Sequence, residues 1–286
     1  MDPFPSLRAA AVTDDERTRF QRNGFLVVDR PVVGEPARRR VRELLDDLFD
    51  RAKQVPRVWV HDLAPSTQNG SIPEIINTSH VEPRLLQTDA YRMLHQVARR
   101  LLGGPVWLAI DHAIFKPPHK GVPTALHQDR AFNPRSTAPT ATIWLALVDA
   151  TVYNGCMRFL PETPDRLLDH RPAGRDALEV IGVEESAALA CPVPAGGFTV
   201  HGELAVHGSG TNETDDVRAA WILKFAPDTR SFRQRAWERS VELQGAVLPR
   251  RFAELSTAIA QSADATVGHP KWAEPGVSGG HEPDSE

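Results

Sequence analysis

The feature that most restricts how this chain can fold is a change of texture after Gly104. Beyond it, apolar residues come in short runs rich in β-branched and aromatic side chains: Val106 to Ile110, Ala113 to Lys116, Thr140 to Val148, Met157 to Leu160, Phe198 to Val200 and Ala219 to Phe225. Gly, Pro, Asn and Asp separate the runs. Short apolar runs bounded by turn formers are strands, and a succession of them describes an all-β sandwich or barrel. Before Gly104 the spacing is helical. Thr13-Asp14-Asp15-Glu16 is a capping box, which predicts a helix from there to near Gly24, followed by a strand at Phe25-Leu26-Val27-Val28. Val41, Leu44, Leu45, Leu48 and Phe49 share one face of a helix predicted over 36–52. Leu94, Val97, Ala98, Leu101 and Leu102 do the same over 89–102, with Gly103 as the stop. The Pro-, Asn- and Ser-rich stretch between these two helices reads as loop.

Helical sequence returns over 231–262, and residues 266–286 are rich in Gly, Pro and acids, a composition that predicts disorder. The expected organisation is one domain over residues 1–265: a helical part at 13–103, a β core at about 104–226 and a C-terminal helical part at 231–262. The fold class is mainly β with flanking helices.

With 286 residues, 41% of them hydrophobic and 24% charged, the chain has an ordinary globular composition and length enough for its own core. A net charge of −4, with Arg interleaved among acids, offers no basic face for nucleic acid or an anionic membrane. The spacing of Cys156 and Cys191 fits no zinc site, and two buried free thiols are expected. Met1-Asp2-Pro3-Phe4 lacks the basic and apolar regions of a signal peptide, and no apolar run approaches the ~18 residues of a membrane span. The expected location is the cytoplasm and the expected partner a small molecule.

Among the 11 His residues, His127 stands out by its company. In Leu126-His127-Gln128-Asp129 an imidazole and a carboxylate lie two residues apart, so in extended chain both side chains point the same way. Far downstream, Val206-His207-Gly208-Ser209 precedes a polar loop, and Arg218 opens the apolar strand Ala219 to Phe225. Two His and one carboxylate on one face of an octahedron leave three positions open, the arrangement of non-haem Fe(II) oxygenases. Two positions suit the chelating end of 2-oxoglutarate and the third suits O2. The far carboxylate of the oxo-acid suits a planar cationic fork such as that of Arg218. A rival His-x-carboxylate exists at His201-Gly202-Glu203. The only later histidines are His207, too close to stand on a separate core strand, and His269 and His281 in the tail, so His201 and Glu203 are expected to belong to the strand and turn leading into His207. Asp111-His112 has the wrong order, and its two side chains point to opposite faces of a strand.

These residues, in this order, resemble the phytanoyl-CoA dioxygenase (PhyH) family of Fe(II)/2-oxoglutarate oxygenases. The resemblance runs over roughly residues 13–226. It rests on Phe115-Lys116-Pro117-Pro118, His127-Gln128-Asp129, Thr142 to Leu147 with Trp144, Asn154-Gly155-Cys156-Met157 with Leu160 to Thr163, and Gly196-Gly197-Phe198. It is completed by His207-Gly208-Ser209 with Asn212 and Arg218. Pro164 stands where the family pattern has His. The resemblance implies a double-stranded β-helix, a cupin-like jelly roll. It implies Fe(II) at His127, Asp129 and His207, and 2-oxoglutarate at Arg218 with Ser209, Gln128 and Trp144 as neighbours. Asn212 is expected to shape its loop, Lys116 to be a solvated strand-end residue, and Asn133 and Arg135 to lie on the surface.

The carboxylate at Asp129 bears on the outcome of the reaction. Related halogenases lack it, which frees a site for chloride, so hydroxylation is expected here. Desaturation, epoxidation, epimerisation and ring formation are alternatives at the same cofactor, and a cupin-type isomerase without 2-oxoglutarate is an alternative opposed by Arg218. Bacterial relatives of the family tailor secondary metabolites, and the Arg-rich, Lys-poor usage would suit a high-GC bacterium. In the irregular stretch 54–82, Trp59, His61, Ile72, Ile75 and Asn77 are candidates to line a substrate pocket.

Overall fold

Thr13 starts the first helix as the sequence predicts: its side chain accepts from the Glu16 backbone, and Glu16 reaches back to the Thr13 N–H. In the computed structural model, which describes residues 12–64, 70–135, 139–162, 165–173 and 177–229, this helix is α1 (Asp14–Asn23). Gly24, with φ 74°, closes it in the left-handed conformation that a side chain would strain. Strand β1 (Phe25–Val28) follows, then α2 (Glu35–Asp50), β2 (Val60–Asp62), β3 (Pro73–Ile76), the short α3 (Thr78–Val81) and α4 (Asp89–Leu102). The β core comprises β4 (Val106–Lys116), β5 (Thr124–His127), β6 (Ala141–Ala146), β7 (Met157–Phe159), β8 (His170–Pro172), β9 (Leu178–Val180), β10 (Leu189–Cys191), β11 (Phe198–His201), β12 (His207–Ser209) and β13 (Arg218–Pro227).

The chain divides into two compact units, Met1–Asp228 and Thr229–Glu286, and every element named here belongs to the first. The helix expected at 231–262 and the tail at 266–286 lie outside the described residues.

Two antiparallel sheets face each other. The larger has seven strands in the order β1-β11-β6-β13-β4-β3-β2, and the smaller has four in the order β10-β7-β12-β5. This is the expected jelly roll. Strand alternation sorts the larger sheet into two faces. Ala219, Trp221, Leu223 and Phe225 of β13, with Ile143 and Leu145 of β6 and Phe115 of β4, join a core under the helices that includes Leu44, Leu45 and Leu48 of α2 and Leu94 and Leu101 of α4. Trp144, Ala146, Ala220 and Ile222 turn inward, where they pack with Met157 and Phe159 of the smaller sheet. The inward face also holds the polar groups described below.

Two details depart from expectation. The stretch before α4 is not all loop, because β3 pairs with β4 (Glu74 opposite Ile114) and β2 pairs with β3. The two runs expected at 106–110 and 113–116 are one 11-residue strand. Asp111 and His112, which interrupt the apolar pattern, sit on opposite faces of it. Asp111 is buried under the helices, accepting from Ser79 and from Trp221 Nε1 at 3.1 Å.

Candidate active site

His127 ends β5 and His207 begins β12, and the two are direct partners in the antiparallel ladder. Directly opposed residues lie closest together across a sheet, so the register alone brings the rings to 4.4 Å between centroids. Gly208 permits the close approach, since a Cβ there would lie 2.6 Å from the Thr124 carbonyl oxygen. Each His Nδ1 donates to the carbonyl two residues back, His127 to Ala125 and His207 to Ala205, both at 2.9 Å. A carbonyl only accepts, so the proton is on Nδ1 and the Nε2 lone pair is free on both rings. Burial favours the neutral rings, helped by His207 beside His127 and by His201 beside His207, pushing His127 down to about 4 and His207 to about 3.

Asp129 completes the group. Gln128 between it and His127 is extended (φ −113°, ψ 132°), so the two ligand-type side chains fall on one side as the spacing predicts. The ligand atoms of His127, Asp129 and His207 lie within 4.8 Å of one another. Asp129 Oδ1 is 3.5 Å from His207 Nε2 and 3.9 Å from His127 Nε2. Burial alone would raise the Asp129 pKa, but His201, Lys224 and His207 around it hold the carboxyl well below its usual range, so it is an anion. Two neutral imidazoles with free Nε2 lone pairs and one carboxylate are a donor set for a divalent transition metal.

The three residues open into a cavity of about 350 Å³ between the sheets. Arg218, the first residue of β13, lines it and is 1% exposed. Its guanidinium lies 5.1 Å from the Trp144 ring, and its Nε is buried without a hydrogen-bond partner. Burial pushes its pKa down to about 9, which still leaves it charged at neutral pH. Among the described residues no carboxylate pairs with it. Lys116 is opposite in the ladder, also buried, with Nζ donating to the Val122 and Gly210 carbonyls. Burial and the adjacent Arg218 together push the Lys116 pKa well down. An unpaired buried cation is costly, so the site is built for an anionic guest. Ser209 and Thr124, hydrogen-bonded to each other at 3.1 Å, line the same cavity.

The rest of the cavity wall is largely apolar: Leu63, Ile76, Ile110, Ile114, Phe132 and Ile222. Polar groups also line it, among them Thr142, His201, Lys224 and the pair Glu74 and His112, which is joined through His112 Nδ1.

Several expectations are corrected. Gln128 is fully buried but turned away from the cavity, because the residue between two same-face residues points to the opposite face. Its amide donates to the Arg166 and Leu204 carbonyls and accepts from the Leu168 N–H, tying the following loop to the site. Lys116 is buried rather than solvated. Of the candidates in 54–82, only His61 lines the cavity, while Ile72 and Ile75 are core residues. Trp144 and Ser209 stand at the cavity, and Asn212 donates to the Lys116, Pro117 and Asp216 carbonyls, shaping its loop. Asn133 and Arg135 are exposed and line no part of it. Glu74, Phe132 and Lys224 also line the cavity, although no motif in the sequence marks them. The alternation along Arg218, Ile222 and Lys224 was the available signal.

The sequence profile of the phytanoyl-CoA dioxygenase (PhyH) family matches residues 20–220. The chain is 30% identical over 167 residues to "Phytanoyl-CoA dioxygenase domain-containing protein 1" of Mus musculus, covering 54% of this chain and 56% of that protein. The chain thus spans about half the length of the curated relatives it matches. Among solved structures, EvdO2 from Micromonospora carbonacea var. aurantiaca, complexed with 2-oxoglutarate, aligns with a TM-score of 0.62 and 27% identity, covering 76% of this chain and 91% of that one. SnoN, a non-haem alpha-ketoglutarate-dependent epimerase from nogalamycin biosynthesis, aligns with a TM-score of 0.57 and 25% identity, covering 74% and 82%.

Proposed function

The chain belongs to the phytanoyl-CoA dioxygenase (PhyH) family, and from that premise we propose that it is a non-haem Fe(II) enzyme using 2-oxoglutarate and O2 to hydroxylate a small organic molecule in natural-product biosynthesis. One observation carries this reading: three metal-ligand side chains and an unpaired buried guanidinium share a single cavity. His127 and His207 would hold Fe(II) through Nε2 and Asp129 through a carboxylate oxygen. Arg218 would take the far carboxylate of 2-oxoglutarate as a bidentate fork, with Trp144 against the guanidinium and Ser209 beside it. With O2, the bound metal and oxo-acid would supply an oxidant able to attack an unactivated C–H bond, one oxygen atom going to succinate as CO2 leaves and the other to the substrate.

The chain's own contribution is to position and to exclude. The neutral imidazoles keep their lone pairs for the metal. Ile76, Ile110, Ile222 and Phe132 present an apolar wall that would hold the carbon skeleton of the substrate and keep water out. The cavity size suits a medium-sized, partly apolar molecule. Epimerisation at the same centre is a second reading, supported by the likeness to SnoN.

The test is purified protein with Fe(II), ascorbate and 2-oxoglutarate, scored for succinate with and without candidate substrates. Succinate formation that depends on Fe(II) and rises with one substrate supports the reading. Absence of 2-oxoglutarate binding to the metal-loaded protein even at millimolar concentration sinks it.

A further inference from the structure

The proposed function leaves His201 and Glu203 without a role, although both are buried and the sequence marks them as a rival metal motif. Their surroundings show what they stand next to. The two carboxylate oxygens of Asp129 lie in different environments. Oδ1 faces the Nε2 atoms of His207 and His127 at 3.5 and 3.9 Å. Oδ2 faces away from them, with Lys224 Nζ at 3.0 Å, Thr142 Oγ1 donating at 3.3 Å and His201 Nε2 at 3.7 Å. His201 lies beyond hydrogen-bond reach, and both its ring nitrogens are buried without a partner, so its contact with Oδ2 is electrostatic. Lys224 in turn lies 3.8 Å from Glu203 Oε1, while Glu203 Oε2 accepts from Arg130 Nε at 2.6 Å. The Arg130 N–H also donates to the Glu203 carbonyl at 2.9 Å. Charges therefore alternate along Asp129, Lys224, Glu203 and Arg130, and the last is the chain neighbour of the first.

Resting on the metal-centre reading, we propose that Lys224, steadied by Glu203, is a positioning residue that occupies Oδ2 of Asp129 and keeps it a one-oxygen ligand. A carboxylate can offer a metal one oxygen or two. A second oxygen from Asp129 would fill one of the three positions that a two-His, one-carboxylate face leaves open. For Oδ2 to turn to the metal it would have to leave a charge-assisted contact in a largely buried site. Lys224 thus defends the coordination space that the oxo-acid and O2 need. It also places a positive charge beside the metal, which opposes metal binding.

These two effects give a signature that a merely structural residue would not. Without Lys224 the metal is held at least as tightly, because a repelling charge is gone, yet the oxo-acid is held more weakly, because Asp129 competes for its position. The experiment titrates Co(II) into metal-free protein by calorimetry and visible absorption, and then 2-oxoglutarate into the Co(II)-loaded protein. Lys224→Met should keep or tighten Co(II) affinity and weaken 2-oxoglutarate by about tenfold or more, the scale of one charge-assisted contact. Lys224→Arg should restore the parental values. Glu203→Gln, which leaves Lys224 in place but unsteadied, should shift 2-oxoglutarate affinity the same way by a smaller factor, and keeps the test open if Lys224→Met fails to fold. Unchanged 2-oxoglutarate affinity in folded Lys224→Met or Glu203→Gln protein overturns the proposal, as does parallel loss of Co(II) and 2-oxoglutarate that Lys224→Arg does not repair. A parent protein that binds no Co(II) would instead sink the metal-centre reading beneath it.

Discussion

Residue chemistry here is decided by what each side chain is denied as much as by what it touches. Arg218 is buried with no carboxylate partner among the described residues, and His127 and His207 have their Nδ1 protons committed to backbone carbonyls. Each is left with one unused capability, and the unused capabilities face the same cavity. Asp129→Ala removes the only carboxylate among the three and should abolish Fe(II)-dependent succinate formation; full turnover in that variant would mean the wrong carboxylate has been assigned. Arg218→Lys keeps the charge but loses the fork. We expect 2-oxoglutarate affinity to fall by about tenfold or more, as one arm of a bidentate charged pair is lost, measured by calorimetry on metal-loaded protein. The types and spacing of these residues were legible in the sequence. The turn of Gln128 was legible in principle, since alternation in extended chain sends the middle residue of His-x-Asp away from its neighbours, but the resemblance placed it beside the co-substrate and the strand geometry overrules that.

At the scale of elements, local signals and pairing signals had unequal visibility. The capping box at Thr13 and the stops at Gly24 and Gly103 act within a few residues, and α1 and α4 begin and end where they predict. Thr13→Ala should cost about 1 kcal/mol of stability by removing one cap, readable as a shift in the urea midpoint. Strand β3 was missed because its four residues carry no turn chemistry or clear alternation of their own; it is a strand because β4 is beside it. The β5–β12 pairing is similarly non-local, and Gly208 is where it is most exposed to test. A Cβ at 208 meets the backbone of β5, which cannot yield as a side chain would. Gly208→Ala should destabilise by about 1–3 kcal/mol and, by moving His207 off His127, weaken Co(II) binding. Unchanged Co(II) affinity would show that the ladder tolerates the shift.

For the whole molecule, the cost of building the site is a pH dependence. His127 and His207, held down to about 4 and about 3, stay neutral in the fold while their unfolded counterparts protonate near 6.5. The unfolded state therefore binds more protons below that pH, and metal-free protein should lose stability as pH falls from about 6.5 toward 4, by up to about 1.4 kcal/mol per pH unit for each ring. The depressed carboxyl of Asp129 acts in the same direction at lower pH, with stability lost as pH falls toward its folded value. His112 acts oppositely: burial would lower its pKa, but Glu74 leads the groups that raise it on balance, so its contribution is lost as pH rises above its folded value. Among the described residues four depressed rings, His95, His127, His201 and His207, against the one raised ring of His112 leave acid sensitivity as the net result. Urea unfolding of metal-free protein at pH 7.5 and pH 5 should show it, and Co(II) at pH 7.5 should raise the midpoint by favouring the folded state. A midpoint that does not move between the two pH values would contradict the burial of these rings.

Sequence alone determined the bounds of α1 and α4, the change from helices to a β core after Gly104, and the three ligand-type residues with the distant arginine. Those rest on local propensity, alternation and the chemistry of side-chain types, all carried by neighbours along the chain. Only the tertiary structure decided that β3 joins the large sheet and that Glu74 and His112 meet in the cavity wall. It alone decided that Lys116 is buried beside Arg218. It also placed the rival motif around Asp129: His201 Nε2 lies 3.7 Å from Asp129 Oδ2, and Glu203 is linked to Asp129 through Lys224. Such contacts depend on which strands lie side by side and in what register, and register is set by the packing of the whole molecule.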